Sequence, residues 1–216
     1  TPEVFDEAKW VFVDYPVSVY GVSGAFIAGA WKYATQRHVL RRAATPESPI
    51  TVIWVDEFQN HITSFDAKYL AECRSHHGCK VVLTQSMHSF FSSIGGRGGQ
   101  SHAKGLLSNV GVKIFHALGD GESAEYASSL IGKTLVHLGG GHLSQQGLVF
   151  DELLSRSPIS SSWSQHYESL VQGRAFMTNL RTGGPENNFI ADAWVVRNGN
   201  AFSNGLNHMK VAFSQR

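Results

Sequence analysis

Several features that define other classes of protein are absent from this sequence of 216 residues. It contains only two cysteines, Cys73 and Cys79, which excludes a disulfide-stabilised secreted scaffold and fits a reducing compartment. No run of about 18 apolar residues is present, as a membrane-spanning helix requires. Residues 1–9 are polar and acidic, unlike a signal peptide. We therefore expect this chain to be cytoplasmic.

The sequence also has almost no net charge. With histidine neutral the formal net charge is +1, so no strong overall field attracts the chain to nucleic acid or to an acidic membrane. Any contact with DNA must therefore be local. The one compact basic run comprises Arg37, His38, Arg41 and Arg42. Because basic residues suit the C-terminal end of a helix, we interpret this run as a solvated helix end.

Short apolar runs alternate with segments of helical period, which is typical of an α/β protein with a mainly parallel sheet flanked by helices. The predicted strands span residues 10–14, 50–55, 80–85, 112–117, 134–138 and 191–197. The predicted helices cover residues 23–42, a segment that begins at a Thr63–Asp66 capping box and ends at Gly78, and residues 122–131. We expect residues 1–140 to form the core and 141–216 an irregular appendage packed on the same core.

Burial can be predicted for some of these elements. The first helix has an apolar stripe formed by Phe26, Ile27, Ala30, Trp31 and Ala34. The run 50–55 is apolar almost throughout, as in a central strand that helices cover on both faces. Residues 92–101 are rich in glycine and serine and should form a mobile surface loop. We expect residues 148–171 to be irregular and partly helical.

Two adjacent acids, Asp56 and Glu57, follow the apolar run 50–55. At the C-terminal end of a buried parallel strand, side chains point into the crevice where open α/β sheets bind ligands. In hydrolysis of a nucleoside triphosphate, one acid can hold the water shell of Mg²⁺ and the other can orient the attacking water. Acids after strands also cap the next helix, so this pair alone leaves both interpretations open.

Two further polar residues make the pattern more specific. Arg74 lies near the end of the helix after Glu57, and Gln85 lies where the neighbouring strand should end. An amide at that position faces the same crevice as the acids and can contact a γ-phosphate without adding charge. The order of acid pair, arginine and strand-end glutamine therefore indicates a nucleotide-hydrolysing site.

At these residues the sequence resembles a known family. The stretches 52–59, 73–74 and 81–86 are similar to the Walker B strand, the arginine-bearing helix and the Thr-Gln strand of the VirD4/TraG/TraD coupling proteins, which belong with the FtsK/HerA-like hexameric motors. Arg74 follows Glu57 by 17 residues and Gln85 follows Arg74 by 11, as in the family's pattern. Residues 10–42, 125–132 and 176–185 are similar too, so the resemblance spans most of the chain.

The resemblance implies a RecA-like fold, part of a P-loop NTPase domain, and a place in a type IV secretion ATPase that pumps DNA with ATP and Mg²⁺. It implies that Asp56 binds Mg²⁺ through water, that Glu57 activates the attacking water and that Gln85 contacts the γ-phosphate. Arg74 would reach the ATP of the next subunit, which implies a homo-hexamer, although a surface ion pair remains an open interpretation for this residue. The implied partners are DNA and relaxosome or secretion-system proteins. A segment outside this chain would anchor the full-length protein in the bacterial inner membrane.

One part of the family's pattern is missing, because no G-x-x-x-x-G-K-[ST] motif occurs. That loop supplies the backbone N–H groups and the lysine that hold the phosphates. Gly132-Lys133-Thr134 matches only its end, since Ala127 stands at the first glycine and a helix is predicted before it. We therefore expect the chain to begin after the phosphate loop of a longer protein, or to be a degenerate copy, and to be inactive alone.

The sequence also offers features of other functions. Cys73, His76, His77 and Cys79 lie close together, but their spacing is not that of a standard zinc finger, and no zinc is expected. A non-catalytic interaction module of the same fold is the main alternative to the ATPase. A nuclease that uses Mg²⁺ with Asp56 and Glu57 is a weaker alternative.

Overall fold

A computed structural model describes residues 9–94, 99–142 and 160–216 of the chain. In this described part, the α-helices are α1 (Val17–Arg41), α2 (Phe65–Glu72), α3 (Met87–Ile94), α4 (Gly99–Ser108), α5 (Gly121–Ile131) and α6 (Gly173–Thr178). Short 3₁₀ turns occur at Phe58–Asn60, Cys73–His76 and Pro185–Asn187. None of the described helices combines the length and the apolar character needed to cross a membrane.

The described strands form three small sheets. The strands are β1 (Thr51–Val55), β2 (Gly78–Val82), β3 (Val112–Phe115), β4 (Lys133–His142), β5 (Ser160–Ser169), β6 (Ile190–Arg197) and β7 (His208–Ser214). β1 and β2 pair in parallel, whereas the β3–β6–β7 sheet and the β4–β5 ribbon are antiparallel. The predicted α/β architecture is therefore present, with the parallel pairing confined to β1 and β2 in the described residues.

The β1–β2 sheet is covered on one face. Ile53 packs with Val39 of α1 and with Tyr69 and Cys73 in a buried cluster. On the other face of β1, Trp54 is 68% exposed. The expectation that helices cover both faces of this strand is therefore wrong for the described part of the chain.

The helix α1 faces the sheet with polar side chains. Its buried residues include Lys32, Thr35 and Gln36, whereas Phe26 is 75% exposed and Trp31 is only partly buried. The predicted apolar stripe therefore does not face the core. The reason is that Lys32 and Gln36 donate hydrogen bonds to a buried carboxylate of α2, which turns this side of the helix inward.

The predicted strand at residues 10–14 does not form. Trp10 and Phe12 are almost fully exposed, while Val11 and Val13 line a shallow pocket beside β1 with Val52. This segment lies next to β1 without belonging to its hydrogen-bonded sheet, which in the described residues contains only β1 and β2. The apolar character of the segment is therefore not a strand signal.

Helices α3 and α4 replace much of the predicted surface loop. Residues 92–94 end α3 and residues 99–101 begin α4, while residues 95–98 lie outside the described part. A buried cluster contains Phe58, which follows β1, together with Phe90 of α3 and with Leu106 and Leu107 of α4. Phe90 is therefore a core residue, and the two helices support the loops that follow β1 and β2.

The C-terminal part is more regular than predicted. The segment 160–169, which was expected to be irregular, is strand β5 and pairs with β4, whereas residues 148–159 of the same predicted segment lie outside the described residues. β6 pairs with β3, and Val171, Phe176 and Val196 pack against α5 in a second core. Residues on both sides of residue 141 thus share sheets and a core, and the domain division at that residue stays a prediction.

Candidate functional site

Asp56 and Gln85 lie at the same edge of the β1–β2 sheet. Val55 is paired with Val82, so the loops that follow the two parallel strands begin side by side. An open pocket between these loops is lined by Asp56, Glu57, Leu83, Thr84 and Gln85. The structure therefore brings together three of the four predicted site residues, as expected for the carboxyl ends of adjacent parallel strands.

The two loops are joined by backbone hydrogen bonds. The Leu83 N–H donates to the Val55 carbonyl (3.0 Å), and the Phe58 N–H donates to the Leu83 carbonyl (2.9 Å). These bonds hold the loop that carries Asp56 and Glu57 in a fixed position against the loop that carries Gln85. Ser86 then caps the N-terminus of α3, since its hydroxyl oxygen accepts a hydrogen bond from the Ser89 N–H (3.1 Å).

Glu57 has a left-handed backbone conformation, with φ 44° and ψ 47°. For a residue other than glycine this conformation costs roughly 1–2 kcal/mol, and such strain often occurs at functional sites. Local hydrogen bonds support the turn: Asp56 Oδ1 accepts from the Glu57 N–H (2.8 Å), and Glu57 Oε2 accepts from Asn60 Nδ2 (3.1 Å). Both carboxylates remain exposed, so they are accessible to water and to a ligand.

The structure also contains a buried ionic cluster that was not predicted from the sequence. We call Lys32, Asp66 and Lys80 the lysine–aspartate cluster. Asp66 is fully buried and pairs with Lys32 Nζ (2.6 Å) and with Lys80 Nζ. It also accepts a hydrogen bond from Gln36 Nε2 (2.7 Å). The cluster therefore joins α1, α2 and β2.

The cluster shifts the pKa of each member. Burial by itself raises the pKa of Asp66, but the charges of Lys80 and Lys32 outweigh it and lower the pKa to about 2. Burial lowers the pKa of Lys80 to about 8, against the attraction of Asp66. Burial lowers the pKa of Lys32 as well. The cluster thus holds two amines against one carboxylate, an imbalance that is costly to bury.

Sequence signals for this cluster were present but weak. Lys80 is the first residue of the predicted strand 80–85, and Asp66 is predicted only as part of a capping box. Asp66 does accept a hydrogen bond from the Thr63 N–H (2.6 Å), as that box predicts, and its carboxylate also accepts one from the Thr63 hydroxyl (3.0 Å). Its second role, as the partner of two buried lysines, depends on contacts between distant segments that no local pattern reveals.

Arg74 is not part of the pocket. It lies in the 3₁₀ turn Cys73–His76, just before β2 begins at Gly78, and it is exposed. The pocket lies beyond the opposite end of β2, after Val82. Arg74 therefore lies at the other edge of the sheet from Asp56 and Gln85, and within one chain the four predicted residues do not form one site.

The cysteines and histidines between residues 73 and 79 do not converge on one point. Cys73 is buried and Cys79 is exposed, while ring nitrogens of His76 and His77 contact the carbonyl oxygens of Arg42 and Ser48. Across residues 9–94, 99–142 and 160–216, no group of three or more histidine, cysteine or acidic side chains is arranged to hold a metal ion.

The sequence Gly132-Lys133-Thr134 has no phosphate-loop geometry. Gly132 follows the last residue of α5, and Lys133 begins β4, so a helix precedes the glycine where a strand and loop are required. The interpretation of this segment as a chance match agrees with its structure.

Comparison with known proteins identifies the family. Residues 50–178, more than half of the chain, match the family described as the TraM recognition site of TraD and TraG. The chain belongs to this TraD/TraG family. No protein with a curated description matches the sequence significantly.

Solved structures of a coupling protein share the fold of this TraD/TraG-family chain. The unbound bacterial conjugative coupling protein TrwB (TrwBdeltaN70) superposes with a TM-score of 0.61 at 16% identity, over 90% of this chain and 38% of that one. The plasmid coupling protein TrwB in complex with the non-hydrolysable GTP analogue GDPNP gives a TM-score of 0.61 at 17% identity, over 92% and 39%. The chain thus spans less than two fifths of the length of these structures.

These comparisons confirm the predicted family and fold class. The chain belongs to the TraD/TraG family and has an α/β fold like that of TrwB. The roles of Asp56, Glu57, Arg74 and Gln85 stay predictions.

Proposed function

We propose that this chain supplies the hydrolysis-side residues of an ATPase that pumps DNA during conjugation. The observation that carries the proposal is the pocket at the carboxyl ends of β1 and β2, where Asp56, Glu57 and Gln85 line one open space. In open α/β sheets this edge is the usual ligand site. Membership of the coupling-protein family and the nucleotide analogue bound to TrwB support a nucleotide as the ligand.

The three pocket residues fit distinct roles toward ATP and Mg²⁺. Asp56 would hold Mg²⁺ through a coordinated water, and Gln85 would donate from its amide to the γ-phosphate. Glu57 would orient the attacking water and accept its proton. Bound Mg²⁺ would neutralise charge on the phosphate oxygens. The exposure of both carboxylates and of the Gln85 amide is compatible with these roles.

The phosphate-binding part of the site must come from outside these residues. The sequence has no motif whose backbone N–H groups could hold the β- and γ-phosphates, so the pocket alone offers acids and one amide. We therefore assign the chain half of a nucleotide site, which is complete only in the whole coupling protein. That protein would act on DNA together with relaxosome or secretion-system proteins, TraM among them, at the bacterial inner membrane.

Arg74 fits a role at a neighbouring subunit. Because it lies at the opposite edge of the sheet from the pocket, it cannot serve the nucleotide of its own chain in this arrangement. An exposed arginine at that edge can instead reach the nucleotide of the next subunit in a hexameric ring and stabilise the charge of the transition state.

Calorimetry with Mg·ATP tests the assignment of half a site. We expect the isolated chain to show no binding at micromolar nucleotide, because the phosphate cradle is missing. Micromolar affinity that is lost in both Asp56→Ala and Glu57→Ala would show that the chain contains a complete nucleotide site, and would contradict the proposal. The exposed Glu47→Ala is the matched control.

A second candidate function is a non-catalytic interaction module. The observation that favours it is the family description itself, a recognition site for TraM. The two functions differ in the whole coupling protein: a module tolerates Glu57→Gln with unchanged ATP turnover, whereas the hydrolytic role does not. A nuclease that uses Mg²⁺ with Asp56 and Glu57 remains a weaker candidate, and cleavage of DNA by the pure chain without ATP would support it.

A further inference from the structure

The turn that carries Asp56 and Glu57 contacts the lysine–aspartate cluster through Phe58. This ring is fully buried directly after Glu57. Lys80 Nζ lies 4.3 Å from the centre of the ring and Lys32 Nζ lies 5.3 Å from it. Cations at these distances attract an aromatic face more strongly when they are desolvated, as both of these lysines are. The position of Phe58 is therefore coupled to that of the two lysines.

The same cluster holds the chain after the turn. Lys32 Nζ donates to the carbonyl of His61, and the carboxylate of Asp66 accepts from the N–H and hydroxyl of Thr63. The segment from Phe58 to Thr63 thus contacts the cluster at three points: the Phe58 ring, the His61 carbonyl, and the N–H and hydroxyl of Thr63. All three attachments end on Lys32, Asp66 or Lys80.

Stability alone does not explain such a cluster. A buried ionic group often contributes no more to folding than apolar side chains of the same volume, and here one amine is in excess. Apolar side chains in the same place would make no directional contacts, so they could not hold the backbone in one conformation. The backbone next to the cluster needs fixing, because Glu57 has a left-handed conformation that is unfavourable for its side chain.

We propose that Lys32, Asp66 and Lys80 are positioning residues that hold the turn at Glu57, through Phe58 and the segment behind it, in the conformation that faces Gln85. The consequence for catalysis rests on the hydrolytic role proposed above for Glu57. The consequence for the turn does not, since it concerns only the geometry of this chain.

The first arm of the test uses NMR on this chain. Lys80→Met removes the excess amine and leaves the pair of Lys32 and Asp66, and Phe58→Leu removes the ring while keeping an apolar side chain. In both variants we expect the backbone chemical shifts and scalar couplings of Glu57 to lose the values that a left-handed conformation gives. We also expect the amides of Phe58 and His61 to exchange about tenfold faster or more.

The matched control is Asp192→Asn. Asp192 is also buried and paired with two cations, Arg181 and Lys210, but it lies in β6, away from the turn. We expect this variant to lose stability and to leave Glu57 and Phe58 unchanged. A left-handed Glu57 and unchanged exchange at Phe58 in both Lys80→Met and Phe58→Leu would overturn the inference. If Lys80→Met does not fold, Phe58→Leu decides the result alone.

The second arm measures ATP turnover in the whole coupling protein. Lys80→Met should lower kcat about tenfold or more with KM nearly unchanged, because a displaced Glu57 affects the chemical step and leaves phosphate binding intact. Full turnover in Lys80→Met, with turnover lost in Glu57→Gln, would overturn the positioning role. Full turnover in Glu57→Gln would instead overturn the proposed function and leave the NMR result standing.

Discussion

Asp56 and Gln85 line one pocket because each follows one of two hydrogen-bonded parallel strands. The pairing of Val55 with Val82 sets the starting points of the two loops, and the hydrogen bond from the Phe58 N–H to the Leu83 carbonyl keeps them together. Backbone contacts thereby bring residues 29 positions apart in the sequence to one edge of the sheet.

The basic run at the end of α1 contains one structural arginine. The Arg42 guanidinium donates to Thr51 Oγ1 (2.9 Å) and to three backbone carbonyls, those of Pro49, His76 and His77. Because these bonds tie the helix to the starts of β1 and β2, Arg42→Ala should lower the free energy of unfolding by roughly 2–3 kcal/mol. Arg41→Ala, at an exposed neighbour, should change it by less than about 0.5 kcal/mol. Urea unfolding measures both, and equal effects would contradict this role of Arg42.

Gly78 is required for packing at the start of β2. A Cβ atom at this position would lie 2.6 Å from the Tyr69 hydroxyl oxygen and 2.9 Å from Val39 Cγ1. Since both neighbours are fully buried, Gly78→Ala should destabilise the fold by about 1–3 kcal/mol. Gly111→Ala is the control, because a Cβ there meets no atom within 4 Å. A thermal unfolding midpoint for Gly78→Ala equal to that of the control would refute the prediction.

The ionised Asp66 should make the fold sensitive to acid. Its pKa is lowered from 3.8 to about 2, since Lys80 and Lys32 outweigh the effect of burial. A lowered pKa means that the stabilisation is complete above pH 3.8 and is lost as the pH falls toward about 2. Urea unfolding across this range should show a decline that is smaller in Asp66→Asn, although that variant is less stable at every pH because its lysines lose their partner. An unchanged decline in Asp66→Asn would contradict the assignment.

Lys80 should make the stability rise with pH in a second, alkaline window. Burial lowers its pKa from 10.5 to about 8, so between these values the unfolded chain binds more protons than the folded chain. Its contribution to the free energy of unfolding therefore rises with pH in this window. Lys80→Met should remove that rise. A pH dependence above pH 8 that is identical in the variant and the unmodified chain would assign the effect to other groups.

The proposed role of Arg74 predicts complementation between subunits. In the whole coupling protein, Arg74→Ala and Glu57→Gln should each abolish most ATP turnover, and loss of an arginine finger typically costs about 10³-fold or more. Mixed rings contain interfaces that combine an intact Glu57 from one subunit with an intact Arg74 from the next. Mixing the two inactive variants should therefore restore measurable turnover, and no recovery in verified mixed rings would contradict action in trans.

The sequence allowed the pocket to be predicted because its signals are local. An apolar run that ends in Asp56-Glu57 and a second that ends near Gln85 identify two strand ends, and parallel pairing brings such ends together. The lysine–aspartate cluster was missed because Lys32, Asp66 and Lys80 lie on three separate elements. Hydrophobic periodicity treats each of them as a surface residue, and for the same reason it placed the wrong face of α1 against the core.

Strand β5 could not be predicted from its sequence, for a different reason. β5 has the sequence SSSWSQHYES, which lacks the apolar alternation of a half-buried strand, yet it pairs with β4 over its whole length. Backbone hydrogen bonds hold this ribbon together, and they leave no trace in side-chain composition. β6 has the more apolar sequence IADAWVVR, which predicts a strand, and its Ala193 and Val196 are buried.

ATP turnover of the whole coupling protein with Glu57→Gln tests the central claim most directly. This substitution keeps the size of the side chain and its bond to Asn60, but removes the carboxylate that is proposed to activate water. The account predicts a loss of about 10²-fold or more in kcat, with nucleotide binding retained and with Glu47→Gln unaffected. Turnover in Glu57→Gln equal to that of the unmodified protein would contradict it.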